Sequence, residues 1–501
     1  MTELRPYQID AMNQTRQALM AGVSRIVLQL PTGAGKTVIA AEIISSARTK
    51  GRKVIFVVPA KALIDQTVQR FCDHGIRDIG VMQADHPLTD STKPVQVATV
   101  QTLRRRAKPE VDLVIVDECH LQDRALIEWL TSPEMAKVRV IGLSATPWTS
   151  GMGRFWQQLI VGSITAKMIE AGYLAPFRVF APSHPDLTGV RTQAGDFHEG
   201  DLSKAMDKPS LVADVVETWV KLGENRPTLC FAVDRAHAKS LQEQFRASGV
   251  NAGYVDAYTP EIERKNIEVL FHAGVYKVVC NVGVLTTGVD WDVRCIILCR
   301  PTKSEYLFVQ IVGRGLRTAE GKADCLILDH SDTHTRLGFV TDIHHEELDD
   351  GDKNRSKAKP STPTPKECPE CKFLRPVRVS TCPNCGFKPK VVSKIEFVDG
   401  NLAELRGKGT RASGPTNTIK MGANWVPLAD FYAQLKGYAE EHGYQEGWAS
   451  NQYRQAAGTW PNAYRGVSPQ SPTPAVWSWI RSRQIAYAKR RKTQEAGHAA
   501  A

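Results

Sequence analysis

The chain has 501 residues, a formal net charge of +11, and an ordinary globular composition, 42% hydrophobic and 23% charged. That length exceeds one core and implies three or more folding units. The longest apolar runs, 54–60 and 113–116, are far too short to span a bilayer, so no membrane partner is expected.

The charge is uneven. Residues 351–501 carry 24 basic against 11 acidic side chains and hold five of the ten Trp, whereas residues 1–350 are nearly neutral. Basic charge interleaved with aromatics suits nucleic-acid backbones and unstacked bases, or else a Trp-rich core under a solvated surface. Four of eleven Cys cluster at Cys368, Cys371, Cys382 and Cys385 while the rest are scattered, a pattern for a reducing compartment with one metal site. No cationic apolar leader precedes Leu4, so the expected location is cytoplasmic, in a bacterial or phage-like setting.

The chain opens with Leu4-Arg5-Pro6-Tyr7-Gln8 and a helical pattern over 9–19. An apolar strand pattern over 26–30 then runs into Pro31-Thr32-Gly33-Ala34-Gly35-Lys36-Thr37 and a helix-like run. Polyphosphate needs inward-pointing backbone N–H groups, which Gly33 and Gly35 permit, with Lys36 as a mobile charge for the phosphates and the Thr37 hydroxyl as a ligand for Mg²⁺. Leu30 stands where the strict phosphate-loop pattern has Gly.

Strand patterns follow at 53–59, 95–100, 111–116 and 138–143, alternating with helical segments. This alternation implies a parallel sheet covered on both faces, with ligands beyond the strand C-terminal ends. The third of these strands ends in Asp117-Glu118-Cys119-His120. A carboxylate there can hold Mg²⁺ and its neighbour can deprotonate water, so Asp117 is read as the metal ligand and Glu118 as the general base. Arg104-Arg105-Arg106 reads as a solvated helix face.

After an irregular connection, a second alternating set begins near Thr228, without a phosphate loop. It contains Gln310-Ile311-Val312-Gly313-Arg314-Gly315-Leu316-Arg317, whose two Arg lie three apart and share one helical face, as cations placed on developing phosphoryl charge would. Residues 349–366 carry no apolar periodicity and read as a linker. Two C-x-x-C pairs ten residues apart then form a closed four-thiolate site for structural Zn²⁺ in a ribbon over 367–390. Residues 391–406 suggest a hairpin turning at Asp399-Gly400. Beyond it Trp425, Phe431, Tyr432, Leu435 and Tyr438 fall near helical spacing, most of them expected in a core.

In order, the segments 31–37, 59–66, 99–103, 117–120 and 144–146 resemble motifs I, Ia, Ib, II and III of superfamily 2 helicases; 229–238, 277–290 and 310–317 resemble motifs IV, V and VI. The DECH box with these flanking motifs is similar to the DNA-directed branch of restriction translocase subunits and XPB-type enzymes, and most of all to bacterial RadD-like repair helicases. The resemblance covers about residues 4–330 and implies two RecA-like α/β lobes, 1–160 and 161–348, followed by the zinc ribbon and a basic, Trp-rich module over 391–501.

It implies ATP and Mg²⁺ held by Gln8, Thr32, Gly33, Ala34, Gly35, Lys36, Thr37, Gly288 and Asp290, with Arg314 and Arg317 as arginine fingers. It also implies nucleic-acid contact or coupling by Thr99, Gln101, His120, Ser144, Thr146, Thr286, Thr287 and Gln310. The expected function is an ATP-dependent DNA helicase in repair, recombination or replication, on single-stranded, duplex or forked DNA. A duplex translocase serving a restriction-type partner, an RNA helicase, and an ATPase switched by a protein partner bound to the C-terminal module stay open.

Overall fold

Strands β1 (Arg25–Gln29), β2 (Val54–Val58), β3 (Ile79–Met82), β4 (Val95–Thr99), β5 (Leu113–Asp117), β6 (Arg139–Ser144) and β7 (Gln158–Val161) form one parallel sheet in the order β3-β4-β2-β5-β6-β1-β7. Uninterrupted apolar runs such as Val54–Val58 are buried at every position because helices cover both faces. The computed structural model describes residues 4–83, 86–286, 290–352, 364–388, 417–445 and 447–498. The chain divides into a unit over 1–391 and a second over 392–501.

In the first lobe, α1 (Pro6–Met20) precedes β1, α2 (Lys36–Arg48) follows it, and α3 (Ile64–Asp73), α4 (Val100–Arg105) and α5 (Arg124–Leu130) complete the crossovers. The order β5-β6-β1 sets the ends of three strands side by side: the phosphate loop after β1, Asp117 at the tip of β5, and Ser144 at the tip of β6. The periodicity over 148–161 is too irregular to foretell β7, an edge strand that ends one residue beyond the expected lobe boundary.

After α6 (Thr165–Glu170), strand β8 (Phe177–Phe180) starts the second lobe. A two-residue ladder β9 (Thr192–Gln193) and β10 (Asp196–Phe197), then α7 (Glu199–Met206) and α8 (Pro209–Leu222), lead into β11 (Thr228–Phe231). α9 (Arg235–Ala247), β12 (Ala252–Val255), α10 (Glu261–His272), β13 (Val278–Asn281), β14 (Cys295–Leu298), α11 (Glu305–Gly315), β15 (Cys325–Asp329) and α12 (Thr333–Leu337) follow. The second sheet is again parallel, in the order β12-β13-β11-β14-β15-β8. The two lobes repeat one architecture, as the sequence implied.

The expected linker from residue 349 begins with an anchor. After α12 the chain returns as a strap to the first lobe, where Leu348 joins its core and Asp349 Oδ1 accepts from Ser150 Oγ at 3.0 Å and from Gly151 N at 3.1 Å. Asp349 O accepts from Gly153 N at 2.7 Å, and Arg154 Nε donates to Asp350 O at 3.0 Å. On the way, His345 Nε2 lies 2.8 Å from Glu305 Oε2 in the first turn of α11, and its ring lies 4.9 Å from that of Trp148. Low hydrophobicity hid this anchor, because it is made of a carboxylate and backbone atoms.

The ribbon, with β16 (Lys366–Glu367) and β17 (Leu374–Arg375), rests on the free edge of the second sheet: Phe180 bridges Phe373, Ala181 N donates to Lys372 O at 3.0 Å, and Leu374 joins the core. The second unit comprises β18 (Thr418–Met421), β19 (Asn424–Pro427), α13 (Leu428–Glu441), α14 (Trp448–Ala457) and α15 (Pro474–His498) around a core of its own that includes Phe431, Tyr432, Leu435, Tyr438 and Tyr453. The hairpin expected over 391–406 lies outside the described residues. Among the described residues no helix is long and apolar enough to cross a membrane.

Candidate functional site

The turn after β1 is made by two left-handed glycines, Gly33 at φ +84° and Gly35 at φ +77°. A Cβ at Gly35 would lie 2.6 Å from Gln8 Nε2, so this position combines the disallowed φ with a close approach. From below, Tyr7 Oη donates to Ala34 O at 2.9 Å and Gln8 Nε2 to the same oxygen at 3.1 Å, while Gln8 Oε1 accepts from Arg5 N at 2.9 Å. Helix α1 thus clamps the loop through its first turn. The loop wraps the N-terminus of α2, whose first residues are Lys36 and Thr37.

Lys36 lies half-buried beside Asp117 and Glu118, with Nζ 3.4 Å from Leu30 O. Burial lowers its pKa, and the two carboxylates oppose that shift. Asp117 is pushed up to about 7 by burial and by the adjacent Glu118 charge, with Lys36 only partly offsetting them. Arg314 is pushed down to about 9 by burial and by Arg317 next to it, and burial likewise lowers Arg317. Two guanidiniums and an ammonium brought together at one cleft, opposite two carboxylates, have charges that suit a polyanion carrying a metal ion. Thr32 Oγ1, buried here without a hydrogen-bond partner, fits the same reading.

Glu118 stands in the left-handed region at φ 48°, which starts a tight turn and returns His120 beneath it. Burial lowers the His120 pKa, so the ring is neutral near pH 7. Its Nδ1 lies 3.3 Å from Glu118 Oε2 and 2.8 Å from Ser144 Oγ. Ser144 Oγ accepts from Thr146 N at 3.0 Å, and Thr146 Oγ1 accepts from Gln310 Nε2 of α11 at 3.3 Å. Gln310 Oε1 in turn accepts from Arg314 at 3.3 Å. Buried hydrogen bonds therefore run from His120 on one lobe to Arg314 on the other, with the Glu118 carboxylate lying against the His120 end. Gly313, one turn along α11, abuts the phosphate loop so closely that a Cβ would lie 2.9 Å from Thr32 Cβ.

The cleft encloses about 650 Å³ and is lined from both lobes, with Lys36, Thr37, Asp117, Glu118, Arg314 and Arg317 among its walls. Asp290 also lines it and accepts from Arg317 at 2.6 Å and from Arg70 at 2.8 Å. Arg70, on α3, reaches Thr37 Oγ1 at 3.4 Å as well. Sequence reasoning missed Arg70 although it follows Gln66 by one helical turn, and both line the cleft. Gln8 and Ala34 are gathered beneath the loop, not on the cleft wall.

Thr99 is buried as the N-cap of α4, its Oγ1 accepting from Thr102 N at 3.1 Å. Gln101 is exposed and lines a separate cavity of about 180 Å³ behind Asp117 and Glu118. Thr286 Oγ1 donates to Gly283 O at 2.6 Å; Thr287 and Gly288 lie outside the described residues.

Residues 1–149 match the family described as type III restriction enzyme, res subunit, and residues 207–319 match the helicase conserved C-terminal domain. A 51.5 kDa protein of a Lactococcus phage is 30% identical over 74% of this chain and 79% of its own length. The chain belongs to the superfamily 2 helicases. The putative ATP-dependent helicase IRC3 of Saccharomyces cerevisiae is 33% identical over 65% of this chain, which spans 51% of the yeast protein. A fragment of a putative HsdR subunit of a type I restriction enzyme from Vibrio vulnificus has the same fold, with a TM-score of 0.52 at 22% identity over 72% of this chain and 66% of that one. This superfamily 2 helicase is an ATP-hydrolysing enzyme related to restriction-type enzymes, and ATP dependence implies Mg²⁺.

The helicase carries a second constellation in its ribbon. The sulfurs of Cys368, Cys371, Cys382 and Cys385 all lie within 4.8 Å of one another, with 3.7 Å between Cys368 and Cys385 and between Cys371 and Cys382. A tetrahedron of thiolates at the usual Zn–S distance of about 2.3 Å has edges near this length, whereas a disulfide is about 2.05 Å. Both turns are alike: Lys372 N donates to Cys368 O and Gly386 N to Cys382 O, each at 2.9 Å.

Proposed function

We propose that this helicase couples hydrolysis of Mg·ATP to movement along DNA. The observation that carries the reading is the run of buried hydrogen bonds from His120, which lies against Glu118, through Ser144, Thr146 and Gln310 to Arg314, a path by which the position of one lobe would reach the carboxylate of the other. In this reading the phosphate loop and Lys36 bind the β- and γ-phosphates. Glu118 takes the proton from the attacking water, and the leaving ADP oxygen and the transferred phosphoryl are neutralised by Arg314 and Arg317. Thr37 and Asp117 would hold Mg²⁺, which supplies charge neutralisation at the phosphates. Arg70 and Asp290 position Thr37 and Arg317 rather than touching the reacting atoms. The four ribbon thiolates hold one structural Zn²⁺.

DNA as the track is supported by the relationship to restriction enzymes and by the DECH form of motif II. Gln101 and Thr286 are the described candidates for backbone contact, and Thr99 supports them as a helix cap. A second reading, a duplex translocase working with a restriction-type partner, is favoured by the match of residues 1–149.

The test is steady-state ATPase activity alone and with single-stranded DNA, duplex DNA, a fork or RNA. Stimulation by DNA and not RNA, abolished in Lys36→Ala and Glu118→Gln, is the expected result; equal stimulation by RNA would overturn the choice of track. Displacement of streptavidin from a duplex without strand separation would select the translocase.

A further inference from the structure

The C-terminal unit sorts its tryptophans into two kinds. Trp448 and Trp479 pack against the unit's core, Trp479 meeting Phe431 edge to face at 5.3 Å. Trp425, Trp460 and Trp477 stay outside it, 43%, 46% and 44% exposed. Each of these three has a cation over its ring: Lys420 at 5.8 Å from Trp425, Arg454 at 4.5 Å from Trp460, and Arg481 at 5.3 Å from Trp477. Arg483 likewise lies 5.4 Å over the ring of Trp479, but that indole also packs on the core, whereas the other three leave a large part of each ring open to solvent beside a cation.

On α15 the arrangement is continuous. Trp477, Arg481 and Ile485 lie four residues apart and are all exposed, so they form one stripe along the helix, while Val476 and Ile480 point into the core. Over 417–445 and 447–486 the unit carries six Lys and Arg against three Asp and Glu.

We propose that this unit is a second nucleic-acid site, which takes single-stranded DNA by stacking unpaired bases on the Trp477 face of α15, with Arg481 on the flanking phosphate, and on Trp460, with Arg454 beside it. Charge complementarity selects a polyanion. The indoles select one with flat, unstacked faces, which an acidic polypeptide lacks and a duplex hides. The inference rests on DNA as the track of the motor and deepens it: the unit grips the strand that the motor exposes or follows.

The test uses the full chain and a fluorescein-labelled 20-nucleotide oligo-dT, read by anisotropy, with an abasic oligomer of the same length and poly-glutamate as comparison probes. Trp477→Ala and Trp460→Ala together are expected to weaken oligo-dT binding at least about tenfold, with Trp→Phe recovering part of it. Basal ATPase should be unchanged. Arg481→Ala is expected to shrink the slope of log K against log salt by about 0.7. The abasic oligomer should bind the wild type no better than the double Trp variant binds oligo-dT.

Wild-type binding that the double Trp variant retains in full, or poly-glutamate competing as well as oligo-dT, would overturn the proposal and leave the motor reading intact. A wild type that neither binds nor is stimulated by any DNA would overturn both.

Discussion

Asp117 is the side chain whose chemistry is most exposed to test. Its pKa of about 7 in the folded protein, against an ordinary 3.8, means that the fold favours its protonated form. The stability this group contributes is complete below its ordinary pKa and is lost as pH rises from about 4 through about 7. Asp117→Asn, which cannot ionise, is therefore expected to melt with the wild type at pH 4 and above it at pH 8 in chelator; parallel melting curves at both pH values would contradict the electrostatic account. Mg²⁺ requires the ionised carboxylate, so its apparent affinity should fall as pH drops below about 7. A buried relay residue gives a second expectation. Gln310→Ala should leave ATP binding intact, measured with a fluorescent analogue, and lower DNA-stimulated kcat by about 10²-fold, because it acts by positioning Arg314.

Helices and strands carry the next layer of evidence. Gly313 lets α11 touch Thr32, and Gly313→Ala forces a contact that is 2.9 Å before relaxation. The expected outcome is a helix displaced from the phosphate loop, with hydrolysis reduced about tenfold and the melting temperature nearly unchanged. At the end of β15, Asp329 is buried and accepts from Ser331 N, Ser331 Oγ, His334 N and His334 Nδ1 at 2.6–2.9 Å. Burial opposes its charge, but these donors win and hold its carboxyl well below the usual range. Asp329→Ala should cost about 3 kcal/mol in urea titrations at pH 7. The wild type should lose that advantage as pH falls below about 4.

Much of this layer was legible in the sequence, because long apolar runs such as those of β2 and β5 and the glycines of the phosphate loop have one physical reading. Edge strands β3, β7 and β8 were not, being only four residues long, with β7 and β8 also covered unevenly. Thr99 shows the other limit: its residue type suits both a backbone contact and a helix cap, and only the fold decides that its hydroxyl turns inward. Arg70 was missed because its partners Thr37 and Asp290 are remote in sequence.

At the scale of the whole chain, the ribbon is docked to the edge of the second sheet through Phe180 and Phe373, and His184 bridges Asp332 at 2.7 Å and Glu367 at 2.8 Å. Metal analysis is expected to return one zinc per chain, released by Cys382→Ser. The strap over 338–351 has a further consequence. The lobes are joined covalently through 162–176 and pinned again where Asp349 meets Ser150 and Gly151. Two bodies tied at one point can swivel in any direction, but tied at two they swing about the line between the ties, like a door on its pins. In the proposed cycle the second pin should reduce the opening of the cleft to nearly a single rotation and return Arg314 to the same place beside the phosphate loop at each closure. Unpinning it with Asp349→Ala and Arg154→Ala should broaden the distribution of inter-lobe distances in single-molecule energy transfer, and an unchanged distribution would show that the first connection alone sets the axis.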